Sequence, residues 1–203
     1  MPERFLMTHS LLSAWKYALK ENPYENAESK TDKYADFLVT LNRIKTEPNA
    51  AMKNGIDFEN LVTDIINGGG ANAEWYEAAD TAARILCGAK LQYTAMREAD
   101  IGGTRYLLYG RLDGLKAGHI YDIKFSKSYE RSKYIDSTQH PMYFELVPEA
   151  QWFSYVVSNG EYLWTETYRR DESLGIAETV AEFAAWLDMR ELTQLYREKW
   201  LAL

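Results

Sequence analysis

The spacing of apolar residues changes near residue 88, and this change restricts the possible folds more than any other feature. Before it, apolar residues recur at helical spacing. After it, most apolar segments show the pattern of strands. The predicted helices span 8–19, 32–44, 50–66, 74–87 and 137–146, with a further helical pattern over 174–203. The predicted strands span 91–98, 105–115, 119–126, 153–158 and 161–169. This order predicts an α/β fold with a mixed, roughly five-stranded sheet flanked by helices.

The length of 203 residues fits a single domain of 1–203. Its core is expected over about 50–170, with helical segments 1–49 and 171–203 packed on it. Apolar residues make up 46% of the chain, which is enough for a sizeable core and argues against global disorder. No apolar run approaches the ~18 residues needed to span a membrane, so no membrane association is expected.

Cysteine usage excludes two classes of site. Cys87 is the one cysteine of the sequence. A disulfide framework and a four-cysteine zinc or iron–sulfur site are therefore excluded within one chain. A cytoplasmic location is the expectation for such a chain.

Two carboxylates and a lysine are predicted to share one face of a β-hairpin. If Ala117-Gly118 forms a two-residue turn, Asp113 lies opposite Asp122, and Arg111 lies opposite Lys124. The other face of the hairpin then carries only core-like residues, which are Leu108, Leu112, Tyr121, Ile123 and Phe125. Opposed carboxylates destabilise a hairpin. A hard cation such as Mg²⁺ or Mn²⁺ would reverse that effect.

Two alternatives to a metal site stay open for this hairpin. Asp and Lys are ordinary residues on a solvent-exposed sheet face. A slip of the strand register by one residue would also separate the two carboxylates.

A third carboxylate lies on the apolar arc of the predicted helix 50–66. Glu59 falls within that arc, whereas Asp57 and Asp64 fall outside it. The arc comprises Met52, Gly55, Ile56, Phe58, Val62, Ile65 and Ile66. A buried carboxylate needs a cation or a hydrogen-bond partner. The alternative is a glutamate at the edge of the arc that reaches water.

Polar residues beyond the hairpin could contact a polyanion. Gln139 and Tyr143 are spaced i, i+4 and share a helix face, although this spacing alone usually reflects packing. Between residues 102 and 134 the chain has seven basic and three acidic residues, whereas its overall charge is −7. Lys127 and Arg131 belong to this basic segment. It would attract phosphates, unless it is simply a solvated charged loop.

Taken in order, four motifs resemble a known family. They are Gly55-x-x-x-Glu59, Gly110-Arg-Leu-Asp113, Asp122-Ile-Lys124 and Gln139-x-x-x-Tyr143. Over about residues 8–169 the chain resembles the PD-(D/E)XK nuclease superfamily, in its RecB-like and phage recombination exonuclease branch. The resemblance implies a restriction-endonuclease-like core. Asp122 stands where a glutamate is commoner in the family, and the cysteines that hold an iron–sulfur cluster in some relatives are absent.

The resemblance also implies roles for single residues. Glu59, Asp113 and Asp122 would bind Mg²⁺, with Mn²⁺ as a substitute and the carbonyl of Ile123 as a further ligand. Lys124 would orient or deprotonate the attacking water, or stabilise charge on the phosphate. The residues expected to bind the substrate are Gln139, Tyr143, Arg111, Lys127 and Arg131. No iron–sulfur cluster is expected.

The implied activity is that of a metal-dependent DNA exonuclease in phage-type recombination or DNA processing. The implied partners are DNA, a single-strand annealing protein and further copies of the chain. Two alternatives remain. One is a structure-specific or restriction-type endonuclease on the same fold, and the other is a non-catalytic nucleic-acid-binding protein.

Overall fold

The computed structural model describes residues 3–20, 32–71 and 73–202. Within these residues one sheet is built from β1 (Phe5–Thr8), β2 (Lys90–Ile101), β3 (Thr104–Lys116), β4 (His119–Phe125), β5 (Trp152–Ser158) and β6 (Leu163–Arg169). The helices are α1 (His9–Leu19), α2 (Lys33–Leu41), α3 (Ala50–Ile66), α4 (Tyr76–Leu86), α5 (Gln139–Leu146), α6 (Ile176–Met189) and α7 (Thr193–Trp200). A short 3₁₀ helix spans Arg170–Glu172. The predicted mixed α/β class is confirmed, with six strands in place of about five.

Three of the predicted helices begin at a side chain that caps them. Thr8, Asp32 and Asn49 each accept a hydrogen bond from the backbone amide three residues later, at 3.2, 2.9 and 2.9 Å. Such caps satisfy amides that have no partner within the helix. Because these signals are local, the starts of α1, α2 and α3 match the prediction closely.

The structure differs from the predicted elements near both ends of the chain. The strand β1 was not predicted, because four residues are too few to show a period. The C-terminal pattern is two helices, α6 and α7, separated by a turn in which Glu191 has φ +58°. The polar stretch 21–31 contains no predicted helix or strand, and it lies outside the described residues.

The connection between β5 and β6 is a four-residue loop over 159–162, not the two-residue turn that Asn159-Gly160 predicts. The side chain of Asn159 accepts hydrogen bonds from the amides of Glu161 and Tyr162, at 3.0 and 2.8 Å. These bonds stabilise the longer loop. Gly160 has φ +98°, and a Cβ there would lie 2.6 Å from the Trp75 ring, so only glycine fits.

The strand β3 is the centre of the sheet. Along one edge it pairs with β2 in antiparallel fashion. Along the other edge it pairs with β1 in parallel over 106–109, and with β4 in antiparallel fashion over 114–116. The sheet then continues through β5, which is parallel to β4, to β6, which is antiparallel to β5. β1 and β4 therefore pair with different parts of the same edge of β3.

The sheet has a hydrophobic core on each face. One core lies against α1, α2, α5, α6 and α7, and its strand residues include Leu108, Leu112, Ile120 and Tyr155. The second lies against α3 and α4, and includes Ile123 and Val156. We call these the α5 face and the α3 face. Within the described residues, no helix combines the length and apolar character needed to cross a membrane.

Candidate functional site

The predicted site lies in a fork between two strands. β1 and β4 pair with the same edge of β3, but neither is paired with residues 110–113. A strand edge without a neighbour leaves polar backbone groups for other partners. At this fork, the hydroxyl of Tyr143 donates to the carbonyl of Arg111 at 2.9 Å. The carboxylate of Asp113 accepts from the amide of Ile123 at 2.7 Å.

The predicted hairpin register is confirmed next to the turn. Lys116 pairs with His119 and Gly114 with Tyr121, as a two-residue turn at Ala117-Gly118 requires. The pairing ends at Gly114, however, so Asp113 is not paired with Asp122 along the backbone. The bond from the Ile123 amide to the side chain of Asp113 replaces the next pair.

The single apolar face predicted for the hairpin is wrong. Leu112 and Leu115 both pack towards the α5 face, although residues three apart on a regular strand point to opposite faces. The alternation is therefore interrupted at Asp113. The pairing of β2 with β3 also skips Gln92 and Asp113, and Gln92 has φ +50°. This distortion assigns Leu108 and Leu112 to one core, and Tyr121, Ile123 and Phe125 to the other.

Asp122 and Lys124 form an ion pair on β4. Both lie on the α5 face, with Nζ of Lys124 2.7 Å from Oδ2 of Asp122. Asp122 is 3% exposed, and its Oδ1 accepts a hydrogen bond from the side chain of Gln139. Oδ2 is buried and receives no hydrogen bond of good geometry, despite the nearby ammonium. The ammonium of Lys124 is therefore the charge partner of this oxygen.

The helix α5 closes the fork from one side. Gln139 and Tyr143 lie one turn apart on one helix face, as their spacing predicts, and they bond to Asp122 and to the Arg111 carbonyl. Gly110 permits this approach, since a Cβ there would lie 2.6 Å from the Tyr143 ring. The hydroxyl of Thr138, just before α5, donates to the carbonyl of His9 at 3.0 Å, which ties α5 to α1.

Glu59 approaches the site from α3. Its position on the apolar arc predicts burial, but the side chain is partly exposed. Its side chain is 28% exposed. It accepts a hydrogen bond from Gln92, and Nη2 of Arg111 lies 3.9 Å away. Only Phe58 and Val62 of α3 are fully buried, and Met52 and Ile56 are exposed.

The three carboxylates are close enough to affect one another. Burial raises the pKa of Asp113 well above its usual value, and the charges of Asp122 and Glu59 raise it further. Like charges near a carboxylate favour its protonated form. The charges of Asp122 and Glu59 therefore act on the carboxylate of Asp113.

His9 is a neighbour of the site that sequence reasoning did not select. Its ring lies edge-on to Tyr143, with centroids 5.4 Å apart. Burial and then the charge of Lys124 lower its pKa to about 3. His9 follows β1 directly, so its place at the fork depends on the strand that was not predicted.

The remaining predicted residues are more exposed. Arg111 was predicted to lie opposite Lys124. Its side chain is exposed and extends towards Glu59 instead. Lys127 and Arg131 are exposed in the segment that joins β4 to α5. For Ile123, the structure shows the amide bonded to Asp113, and its carbonyl stays a predicted ligand.

The carboxylates at the fork meet some of the requirements of a metal site. The raised pKa of Asp113 is a feature that a bound cation would relieve. In the described part of the chain, however, no three His, Cys, Asp or Glu side chains are grouped so that they could hold a metal ion as they stand. Glu59 would have to exchange its bonds to Gln92 and Arg111 for a metal ligand position.

Comparison with known proteins supports the fold alone. No protein-family model and no curated protein matches the sequence. The chain is similar in three dimensions to a solved structure described as the crystal structure of SSO0001, with a TM-score of 0.54. The two sequences are 18% identical, and the match covers 92% of this chain and 78% of that chain. At this identity the similarity concerns the arrangement of helices and strands.

Proposed function

We propose that the chain is a metal-dependent DNA exonuclease that hydrolyses phosphodiester bonds in phage-type recombination or DNA processing. The observation that carries the proposal is the convergence of Asp113, Asp122 and Lys124 at a fork between strands. Two carboxylates and one partly buried lysine, with a glutamate nearby, suit the chemistry of a phosphate ester. This is also the residue set of the PD-(D/E)XK nuclease superfamily, which the motifs resemble.

The residues would divide the work as follows. Asp113 and Asp122 would hold Mg²⁺, or Mn²⁺ in its place, with Glu59 and the carbonyl of Ile123 as further ligands. A bound divalent ion would polarise the phosphate and lower the pKa of a water molecule. Lys124 would place a positive charge beside the phosphate as negative charge develops. Gln139 orients Asp122 through its hydrogen bond.

The polar surface around the fork would hold the DNA strand. Arg111, Lys127 and Arg131 are exposed and cationic, so each can contact a phosphate without losing an internal bond that holds the core together. Tyr143 is buried and bonded to the Arg111 carbonyl, which makes it a support for the fork. A single-strand annealing protein and further copies of the chain stay expected partners.

A nuclease assay on end-labelled linear duplex DNA tests the proposal. We expect degradation with Mg²⁺, and none with a chelator. Asp122→Asn should lose the activity, whereas Asp188→Asn, on the exposed side of α6, should keep it. Intact linear DNA at every Mg²⁺ and Mn²⁺ concentration would argue for a non-catalytic binding protein.

Covalently closed circular DNA distinguishes an exonuclease from the second candidate function, an endonuclease. An exonuclease needs a strand end and leaves closed circles intact. Cleavage of closed circles that depends on Asp122 would instead show an endonuclease on the same site.

A further inference from the structure

A second concave surface lies beside the proposed active site. A cleft of about 690 Å³ separates β6 from the segment between β4 and α5. Its lining includes Tyr129, Arg131, Trp164, Glu166 and Tyr168. Of the residues assigned to the proposed active site, it contains only Arg131. Volumes of about 300–1,000 Å³ are typical of sites for small ligands.

The cleft and the proposed active site open on the same face of the sheet. Asp122 pairs with Tyr155, which pairs with Glu166. One step along the same face, Lys124 pairs with Val157, which pairs with Trp164. Because neighbouring strands lie about 4.8 Å apart, the backbone of Trp164 is roughly 10 Å from that of Lys124. Tyr155 and Val157, which lie between the two places, are buried, and Tyr134 stacks on Tyr155, so a DNA strand that reaches both places would run over the segment that covers them.

The cleft presents a fixed aromatic surface. Tyr129 and Trp164 are stacked, with centroids 5.4 Å apart and ring planes 25° apart. Tyr162 is 57% exposed, and its ring lies 6.1 Å from that of Trp164. Stacking on aromatic side chains is the usual way in which proteins hold unpaired bases.

A buried carboxylate holds these rings in place. Glu166 is 9% exposed and accepts hydrogen bonds from the hydroxyl of Tyr129 at 2.8 Å and the amide of Tyr134 at 3.2 Å. It also accepts one from the hydroxyl of Tyr168. With its hydrogen bonds supplied by the protein, Glu166 fixes the cleft before a ligand arrives. Side chains that are already ordered lose less conformational entropy when a ligand binds.

Arg131 offers the cleft a cation for a phosphate, and the other charged residue of the lining is Glu166, whose carboxylate is already hydrogen-bonded within the protein. Arg131 is exposed and lines the cleft, and Lys127 is exposed in the same segment. Lys133 donates to the hydroxyl of Ser126 at 2.7 Å and to the carbonyl of Ser128 at 3.1 Å. Lys133 therefore stabilises the segment, while Arg131 and Lys127 face solvent.

We propose that this cleft binds an unpaired base of a DNA strand that continues to Asp122 and Lys124. The base would stack against the Tyr129–Trp164 pair, and Arg131 would contact a neighbouring phosphate. This inference rests on the proposed function, because it makes the substrate a single-stranded end. Bases within a duplex already stack on their neighbours, so a blunt duplex end cannot use the cleft without being opened.

Binding of a labelled oligothymidylate, measured by fluorescence anisotropy with a chelator present, tests the inference without catalysis. Trp164→Ala should weaken binding about tenfold, which is within the contribution of one stacked base. Trp164→Phe should retain most of the affinity, since it keeps a ring. Trp152→Ala is the matched control, because Trp152 is 42% exposed and lies on the opposite face of the sheet. It should bind as the wild type does.

Two further readouts identify the chemistry of the cleft. A blunt duplex should bind Trp164→Ala and wild type equally. Arg131→Gln should lower the slope of log affinity against log salt by about one. Equal binding of oligothymidylate by Trp164→Ala and the wild type would overturn the inference, as would an equal loss for Trp164→Phe or for Trp152→Ala.

The inference and the proposed function can fail separately. If the wild type degrades linear DNA and Trp164→Ala still binds oligothymidylate normally, the cleft assignment fails alone. If the wild type degrades no DNA and Trp164→Ala loses binding, the nuclease proposal fails alone.

Discussion

The ammonium of Lys124 lies 2.7 Å from Oδ2 of Asp122, on the same face of one strand. Burial by itself lowers the pKa of Lys124, but the charges of Asp122, Asp113 and Glu59 raise it above its usual value. Lys124 is therefore a cation next to the carboxylates. Of the roles that the resemblance implies for it, stabilisation of charge on the phosphate fits this state better than removal of a proton from water.

We expect Lys124→Met to reduce kcat for linear DNA by about 10²–10³, the usual cost of removing one charge-stabilising group. KM should change little, because the flanking phosphates contact other residues. Single-turnover cleavage of an end-labelled duplex measures the effect. Lys199→Met, at an exposed position on α7, is the matched control. A loss confined to KM would assign Lys124 to binding instead.

The binding of Mg²⁺ should depend on pH through Asp113. The raised pKa of Asp113 means that the metal-free fold favours its protonated form, so this stabilisation is present at low pH and is lost as the pH rises through that pKa. A metal ion needs the ionised form. The increase of Tm caused by Mg²⁺ should therefore be larger at pH 8 than at pH 5.5.

Thermal unfolding with and without Mg²⁺ at the two pH values measures this linkage. Asp113→Asn should lose most of the Mg²⁺ effect at both values. A Mg²⁺ effect that is the same at pH 5.5 and pH 8 in the wild type would contradict the assignment of Asp113.

His140 should make the fold sensitive to acid. It stacks on Tyr168, with centroids 4.2 Å apart, and burial lowers its pKa to about 4. The stabilisation from neutral His140 is complete above the ordinary pKa of 6.5, and it is lost as the pH falls towards 4. Between pH 7.5 and 4.5 this amounts to about 2 kcal/mol. Urea unfolding should show a smaller loss for His140→Gln than for the wild type over that range.

Two glycine-to-alanine substitutions should change the free energy of unfolding in opposite directions. In Gly110→Ala the new Cβ would lie 2.6 Å from the Tyr143 ring and 2.7 Å from Leu146. Such overpacking costs about 1–3 kcal/mol. Gly55 lies within α3 with no atom near its Cβ position, so Gly55→Ala should stabilise the fold by about 0.5–1 kcal/mol. Urea unfolding of both variants measures the difference. A neutral Gly110→Ala would show that Tyr143 can move away from the fork.

Short-range patterns explain which parts of the fold could be predicted. The caps at Thr8, Asp32 and Asn49 and the turn at Ala117-Gly118 depend on a few neighbouring residues. Those elements match the prediction, including the hairpin register next to the turn. The strand β1 and the two-helix C-terminus depend on contacts with distant parts of the chain, so local periodicity did not predict them.

Local patterns in the sequence were enough to predict the helices α1 to α5, five of the strands, and Asp113, Asp122, Lys124 and Glu59 as the chemical group of interest. How these residues meet depends on pairing between strands that lie far apart in the chain. The pairing of β1 and β4 with one edge of β3 leaves a gap at residues 110–113, and the distortion at Asp113 turns its carboxylate to the Ile123 amide. Period and spacing describe one strand at a time. A fork is a relation among three strands, and the free energy of packing sets it.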